Sequence, residues 1–254
     1  MDIITRKENG ILTIEFNRPD KKNSITSAMY QIMADTLKEA EKDAAVRVIL
    51  FCGQTDMFTA GNDLEDFLNN KQELADLPVA QFIGNLSMAG KPVIAAAAGL
   101  AIGIGTTMLL HCDLVYAADN ARFSMPFAKL GLCPEFASSM LLPQLIGYQR
   151  AADLLLFGES FSASEALNMG LVNKVLTTAD LLPYAYARAA KLVGLPASSL
   201  RATKSLMKAR LADTVAAHMS EEGRIFSSML QAPEAKEAFV AFFERRPPDF
   251  TKFS

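Results

Sequence analysis

Apolar and polar residues alternate along the start of the chain, on both sides of Asn9-Gly10. Such alternation is typical of strands with one buried face, and Asn-Gly adopts the positive φ angles of a tight turn. The pattern predicts a β-hairpin over residues 2–16. From Thr26 to Asp43 apolar side chains recur at helical spacing with charged residues between them, which predicts an amphipathic helix.

Short continuous apolar runs follow, and such runs are typical of strands that are buried on both faces. They cover residues 46–51, 92–98, 114–117 and 171–175. Segments with helical spacing separate these runs, and the alternation of strand and helix predicts an α/β architecture.

After residue 179 the strand patterns stop and only helical spacing remains. The predicted helices cover residues 179–193, 197–211, 213–230 and 234–245. Pro247-Pro248 ends the last of them, because proline cannot continue a helix.

Composition limits the classes of function. Half of the 254 residues are apolar, enough for one sizeable core with an appended helical region. No apolar run approaches the roughly 18 residues of a membrane span, and a charge of −3 spread over mixed residues excludes a broad nucleic-acid-binding surface. We expect a soluble, cytoplasmic protein, because neither a signal peptide nor a peroxisomal Ser-Lys-Leu end is present.

Several catalytic chemistries lack the residues that they need. The histidines are His111 and His218, and His111 is followed directly by Cys112 and Asp113, so these side chains cannot converge on one metal. We expect His111 to be a packed helical residue and the cysteines to be reduced core residues. The segment 103–105 (GIG) lacks the third glycine of a dinucleotide site. No metal is predicted.

Three segments place glycine or proline beside polar residues after predicted strands. They are 58–64 (FTAGNDL), 99–107 (GLAIGIGTT) and 125–135 (MPFAKLGLCPE). Gly103 and Gly105 allow the backbone to approach a ligand closely, and the stretch that follows, to His111, is predicted to be a helix whose first N–H groups are free. Free N–H groups of this kind stabilise a developing oxyanion.

In this order and spacing, the three segments resemble the crotonase (enoyl-CoA hydratase/isomerase) family, with 17–19 (NRP) and 111–113 (HCD) as supporting matches. The resemblance covers essentially the whole chain and is greatest to the peroxisomal-type Δ3,Δ2-enoyl-CoA isomerase branch. It implies an α/β fold: a crotonase-like spiral of ββα turns over residues 1–195, with the coenzyme A and acyl site, and a C-terminal helical trimerisation region over 196–254.

The resemblance also implies ligands and partners. The substrate would be an acyl-CoA, with coenzyme A entering as the substrate thioester and no separate cofactor. The assembly would be a homotrimer or a dimer of trimers.

Site residues carry over from the family by position. The N–H groups of Asn62 and Ile104 would form the oxyanion hole, and Glu135 would be the catalytic base. The remaining positions would bind substrate: Lys22, Asn23, Ser24, Ala60, Gly61, Asp63, Leu64, Gly103, Gly105, Thr107, Phe127, Lys252 and Phe253.

Two positions depart from the hydratases of the family, which carry a pair of glutamates that activate water. Thr107 and Phe127 stand at those positions here, and these side chains leave no acid/base pair that could activate water. Shifting a double bond from C3 to C2 of an enoyl-CoA needs one carboxylate, which favours an isomerase with Glu135 as the base.

Alternatives remain open at this point. Glu135 could be a structural residue that caps the helix predicted over 136–146 and has no catalytic role. Lys21-Lys22 could be a solvated turn. A hydratase could use other carboxylates, namely Asp63, Glu65 and Asp66. The chain could also be a non-catalytic acyl-CoA-binding protein, because a fold alone does not establish activity.

Overall fold

A computed structural model describes residues 1–69 and 77–253 of the chain. The predicted hairpin is confirmed: β1 (Ile3–Glu8) pairs antiparallel with β2 (Ile11–Phe16). Asn9 and Gly10 have φ angles of 50° and 79°, as the turn requires. The predicted amphipathic helix is also present, as α1 (Ser27–Lys42), and the Thr26 side chain caps it by accepting the N–H of Met29.

Two sheets form the body of the molecule. The six-stranded sheet has the order β1-β2-β3-β5-β7-β10. It contains the buried strands β3 (Val48–Cys52), β5 (Val93–Ala97) and β7 (Leu114–Ala118), and the short, more exposed strand β10 (Lys174–Leu176). The four-stranded sheet has the order β4-β6-β8-β9, with β4 (Met57–Thr59), β6 (Leu100–Ile102), β8 (Arg122–Ser124) and β9 (Phe161–Ser162). From β2 to β10 the strands of the larger sheet run parallel.

The chain winds through both sheets in repeated turns. Each turn contributes one strand to the larger sheet, then one strand to the smaller sheet, and then one or two helices. In the first turn β3 and β4 precede α2 (Leu64–Asn69) and α3 (Pro78–Ser87). In the next two turns β5 and β6 precede α4 (Ile104–Thr107), and β7 and β8 precede α5 (Ser138–Ile146). Gly99 makes the step from β5 to β6 possible, because a Cβ there would lie 1.7 Å from the Asp56 carbonyl oxygen. This is the predicted spiral of ββα turns.

Helices follow in the second half of the chain. They are α6 (Tyr148–Phe157), α7 (Ala163–Asn168), α8 (Thr178–Val193), α9 (Ala197–Ala209), α10 (Ala212–Leu230) and α11 (Pro233–Phe243). The last four correspond to the four predicted helices. Leu181 and Ala185 of α8 pack on one face of the large sheet, whereas Phe226 of α10 and Phe239 of α11 join the main core on the other. Trimerisation and a division after residue 195 stay predictions.

Several predicted boundaries differ from the structure. The strand predicted over 171–175 begins at Lys174, because Leu171 and Val172 bury their side chains in a turn. The helix predicted over 136–146 begins at Ser138. The predicted helix that ends at His111 is α4 followed by a 3-10 turn over Met108–His111.

Within the described residues, no helix is both long and apolar enough to cross a membrane. Cys52, Cys112 and Cys133 are free thiols, in agreement with the prediction of reduced cysteines. Burial raises the pKa of Cys52 and of Cys112 to about 12, so neither is a nucleophile at neutral pH.

Candidate active site

Two loops at the carboxyl ends of adjacent strands form the centre of the site. Strands β4 and β6 are parallel neighbours, and Thr59 lies opposite Ala101. Asn62 and Ile104 each follow their member of this pair by three residues. The parallel register therefore brings the two predicted oxyanion-hole residues to the same edge of the small sheet.

Glycines allow these loops to approach each other. Gly61 has a φ of 86°, and a Cβ there would lie 2.6 Å from the Ile102 carbonyl oxygen. A Cβ on Gly105 would lie 2.6 Å from the Thr59 Cγ2 atom. Gly103 precedes α4 with a φ of 58°, in a conformation that L residues rarely adopt. Larger residues at these positions would push the loops apart.

The backbone pairing leaves two N–H groups available. Ile25 donates its N–H to the Gly61 carbonyl (2.8 Å), and its own carbonyl accepts the N–H of Asp63 (2.9 Å). These two bonds involve the residues on either side of Asn62 and leave the Asn62 N–H unused. The Gly103 carbonyl accepts the N–H groups of Thr106 and Thr107 at the start of α4. In the described part of the chain, no hydrogen bond is donated by the main-chain N–H of Asn62 or Ile104. Both groups can therefore serve as donors to a ligand.

Side chains from the preceding segment hold the first loop in place. The Arg18 guanidinium donates to Asp63 Oδ2 at 2.6 Å and to the Ser24 carbonyl and hydroxyl oxygens at 3.0 and 2.9 Å. Burial would raise the pKa of Asp63, but the bond from Arg18 and the others that it accepts lower it overall. Asp63 is therefore a fixed anion. The Tyr30 hydroxyl donates to Asn62 Oδ1 at 2.5 Å.

Glu135 lies close to the second loop. Its Oε1 atom accepts the hydroxyl of Thr107, the last residue of α4. Burial is the main cause that raises its pKa from 4.5 to about 8, the Thr107 hydrogen bond lowers it, and the nearby charge of Glu222 raises it further. The residue is half-buried, and a carboxyl group with this pKa can both release and accept a proton near neutral pH.

The carboxylate that caps α5 is not Glu135. Glu222, on α10, accepts the N–H groups of Ala137 and Ser139 at 2.6 and 3.0 Å. His111 donates its Nε2–H to the Phe136 carbonyl at 2.7 Å and stacks on the Phe136 ring. Burial lowers the pKa of His111 to about 4, so it is a neutral packing residue, as the sequence predicted.

A cavity of about 640 Å³ opens beside the two loops. Predicted site residues that line it are Lys22, Ser24, Ala60, Gly61, Asn62, Asp63, Leu64, Gly103, Ile104 and Phe127. The other predicted residues do not contribute to this lining. Asn23 is completely buried, and its side chain holds Gln54 and the Phe58 carbonyl. Gly105 and Thr107 are buried behind the loop, and Glu135 lies beside Thr107.

The chain end lies outside the cavity wall. Lys252 and Phe253 belong to a 3-10 turn over Phe250–Phe253, and Lys252 pairs with Asp249 at 3.4 Å. Their predicted contact with coenzyme A stays a prediction.

Sequence reasoning missed the aromatic part of the wall. Four phenylalanines from the C-terminal helices line the cavity, namely Phe226, Phe239, Phe242 and Phe243. Phe242 and Phe243 each lie about one helical turn after Phe239 on α11, a signal that could have identified them. Tyr30 and Glu222 were also missed, because each acts through a partner distant in sequence.

Comparisons with known proteins agree with this geometry. The sequence pattern described as "Enoyl-CoA hydratase/isomerase" matches residues 6–252. Rat enoyl-CoA delta isomerase 2 is 35% identical over 96% of this chain, although the chain spans only 64% of that relative. The probable enoyl-CoA hydratase echA8 of Mycobacterium leprae is 35% identical over 95% of this chain and 94% of its own length.

A solved structure gives the same result for the fold. The enoyl-CoA hydratase/isomerase from Pseudoalteromonas atlantica T6c superposes with a TM-score of 0.94 at 39% identity, covering 99% of this chain and 100% of that one. Sequence pattern, curated relatives and fold all agree, and the chain belongs to the enoyl-CoA hydratase/isomerase (crotonase) family of acyl-CoA enzymes.

Proposed function

We propose that the protein is an enoyl-CoA isomerase that shifts a double bond from C3 to C2, with Glu135 as the one acid/base group. The Glu135 carboxylate removes a proton from C2 of a 3-enoyl thioester. The electron pair moves toward the thioester carbonyl, and the resulting dienolate oxygen accepts the N–H groups of Asn62 and Ile104. The neutral Glu135 carboxyl then returns the proton at C4, so no water is consumed.

The observation that carries this proposal is the environment of the Glu135 carboxyl. Its hydrogen-bond partner is the Thr107 hydroxyl, at a position where the hydratases of the family have a glutamate. At the other such position Phe127 is buried, with its ring against Phe226. A pair of carboxylates that could hold water between them is therefore replaced by one carboxyl, one hydroxyl and an apolar wall.

The other carboxylates of this region have different partners. Asp63 is paired with Arg18, and Asp66 accepts the N–H and hydroxyl of Ser27 at 2.7 Å each. Glu65 lines the cavity and is exposed. An exposed carboxylate retains its water, which makes it a poorer acid/base group for the proposed step than the half-buried Glu135.

The size of each contribution agrees with the proposed chemistry. One oxyanion-hole donor is worth about 3–4 kcal/mol in the transition state, and general acid/base catalysis contributes about 10²–10⁴-fold. A pKa of about 8 suits a group that must act as a base and then as an acid in the same turnover.

Two assays run in parallel test the proposal. Purified protein is incubated with a 3-enoyl-CoA and, separately, with a 2-enoyl-CoA, and the absorbance of the conjugated thioester is followed. An isomerase increases the absorbance with the first substrate and leaves the second largely unchanged. Rapid loss of absorbance with the 2-enoyl-CoA, without isomerisation, would instead identify a hydratase, which the name of the mycobacterial relative makes the second candidate. Binding of the thioester without either reaction would identify a non-catalytic acyl-CoA-binding protein.

A further inference from the structure

The turn that carries Glu135 is held in an unfavourable backbone conformation. Phe136 and Ala137 have φ angles of 60° and 55°, and neither is glycine. The left-handed region is unfavourable for a non-glycine residue, because its Cβ comes too close to the following carbonyl oxygen. Two such residues in succession persist only where neighbouring groups hold them.

Glu222 supplies the contacts on one side of this turn. Its two carboxylate oxygens accept the N–H groups of Ala137 and Ser139, and Oε1 also accepts the Ser139 hydroxyl at 2.5 Å. Because that hydroxyl donates to Glu222, it accepts the Nε2–H of His218 at 2.8 Å. Glu222 is buried although it is charged, so the N–H groups replace the water that it has lost.

We propose that Glu222 is a positioning residue for Glu135: from α10 it holds the left-handed turn at 136–137 and thereby couples the C-terminal helices to the proton-transfer step. The inference rests on the proposed function for its kinetic part. The hydroxyl of Ser139 donates to Glu222 and its N–H is also bound, so these groups form a clamp on the turn and not a serine nucleophile.

The negative charge of Glu222 also acts on Glu135 directly, by electrostatic repulsion. The titratable groups near Glu135 include Tyr30 on α1, His111 after α4, Cys133 on its own segment, and His218 and Glu222 on α10. Burial keeps Tyr30, His111 and Cys133 neutral near pH 7. His218 is 37% exposed on its side chain, whereas Glu222 is 7% exposed and its negative charge raises the pKa of Glu135.

Glu222→Gln tests the proposal, because it retains the shape of the side chain and removes the charge and one acceptor. We expect kcat for 3-enoyl-CoA isomerisation to fall by about tenfold, with KM changed less than about twofold. The acidic limb of the kcat/KM profile should also move to lower pH. A merely structural defect would lower the active fraction without moving that limb.

Matched variants separate the loss of the hydrogen bonds that hold the turn from the loss of the Glu222 charge. Glu221→Gln removes a neighbouring carboxylate that faces solvent and pairs with Arg224, and should leave both quantities unchanged. Glu222→Asp retains the charge and should leave the limb at its wild-type position. In the Glu222→Gln background, Ala137→Gly removes the conformational cost at one of the two left-handed residues of the turn. The double variant should regain folding and part of kcat while the acidic limb stays shifted, which also provides a test if the single variant does not fold.

A direct titration keeps this inference separate from the proposed function. In protein labelled with carbon-13 at glutamate Cδ, NMR follows the Glu135 carboxyl, and Glu135→Gln identifies its resonance. If the wild type shows no isomerase turnover, the proposed function fails, and the titration still decides the coupling. An unchanged Glu135 titration and an unchanged pH limb in Glu222→Gln would overturn the inference.

Discussion

Replacing Glu135 with glutamine removes a titrating group while leaving a side chain of the same shape. The folded protein retains a proton on this carboxyl up to a pKa of about 8, whereas an unperturbed carboxyl ionises near 4.5. Stability from this group is therefore complete below the lower value and is lost as the pH rises through the upper one. Glutamine does not titrate, so the variant should not show this loss.

The magnitude follows from the two pKa values. Between about 4.5 and 8, each pH unit lowers the free energy of unfolding of the wild type by about 1.4 kcal/mol through this one group. At neutral pH the accumulated loss is about 3 kcal/mol, which is a large part of the 5–15 kcal/mol that stabilises an ordinary domain. The same substitution should remove most isomerase turnover while thioester binding is retained, because the amide cannot accept the C2 proton.

Urea unfolding at a series of pH values measures the effect. The free energy of unfolding of Glu135→Gln minus that of the wild type should widen with pH and level off above about pH 8. Glu39→Gln, which alters an exposed glutamate on α1, is the control and should remain parallel to the wild type. A difference between Glu135→Gln and the wild type that does not vary with pH would refute the assignment of a raised pKa to Glu135.

Three further predictions concern the same site. In the wild type, kcat/KM for isomerisation should rise with pH and level off near the pKa of Glu135, about 8; a profile that is flat from acid to neutral pH would contradict this. Thr107→Val removes the hydrogen bond that lowers the pKa of Glu135 and should move the same limb to higher pH, with Thr107→Ser as the conservative control. Gly105→Ala places a Cβ 2.6 Å from the Thr59 Cγ2 atom and should displace the Ile104 N–H. Steady-state kinetics should then show KM raised or kcat lowered by about tenfold. Unchanged constants would show that the loop relaxes without effect.

Local patterns were sufficient to predict elements whose signal lies within a short window. The hairpin at Asn9-Gly10 and α1 are such elements, because turn chemistry and helical spacing act over a few residues. The start of α5 could not be predicted, since Phe136 and Ala137 carry no glycine signal and their conformation depends on Glu222, which lies 85 residues later in the chain from Ala137. Tertiary contacts outweighed local propensity there.

The candidate site also contains some residues with a local sequence signal and others whose position depends on long-range contacts. The family resemblance assigned Asn62 and Ile104, and the structure explains the glycines beside them, Gly61 and Gly105, as positions of close backbone approach. Asn23 was expected to face the ligand, but it stands in the same short segment as Lys22 and Ser24, and sequence alone does not show which of the three turns inward. The phenylalanine wall depends on the docking of α10 and α11, which is also a long-range property.

The combination of Thr107 and Glu135 favours one reaction type for a physical reason. Addition of water requires a group that activates the water and a second group that protonates the substrate, both in contact with one water molecule. Thr107 donates its single hydroxyl proton to Glu135, so it stabilises the ionised carboxylate and has no proton left for substrate. Phe127 closes the adjacent wall with an apolar ring. A lone base beside a hydroxyl and an apolar ring lacks the second acid/base group that hydration needs. Transfer of a proton from C2 to C4 needs only that one base, and this is the isomerisation proposed for this protein.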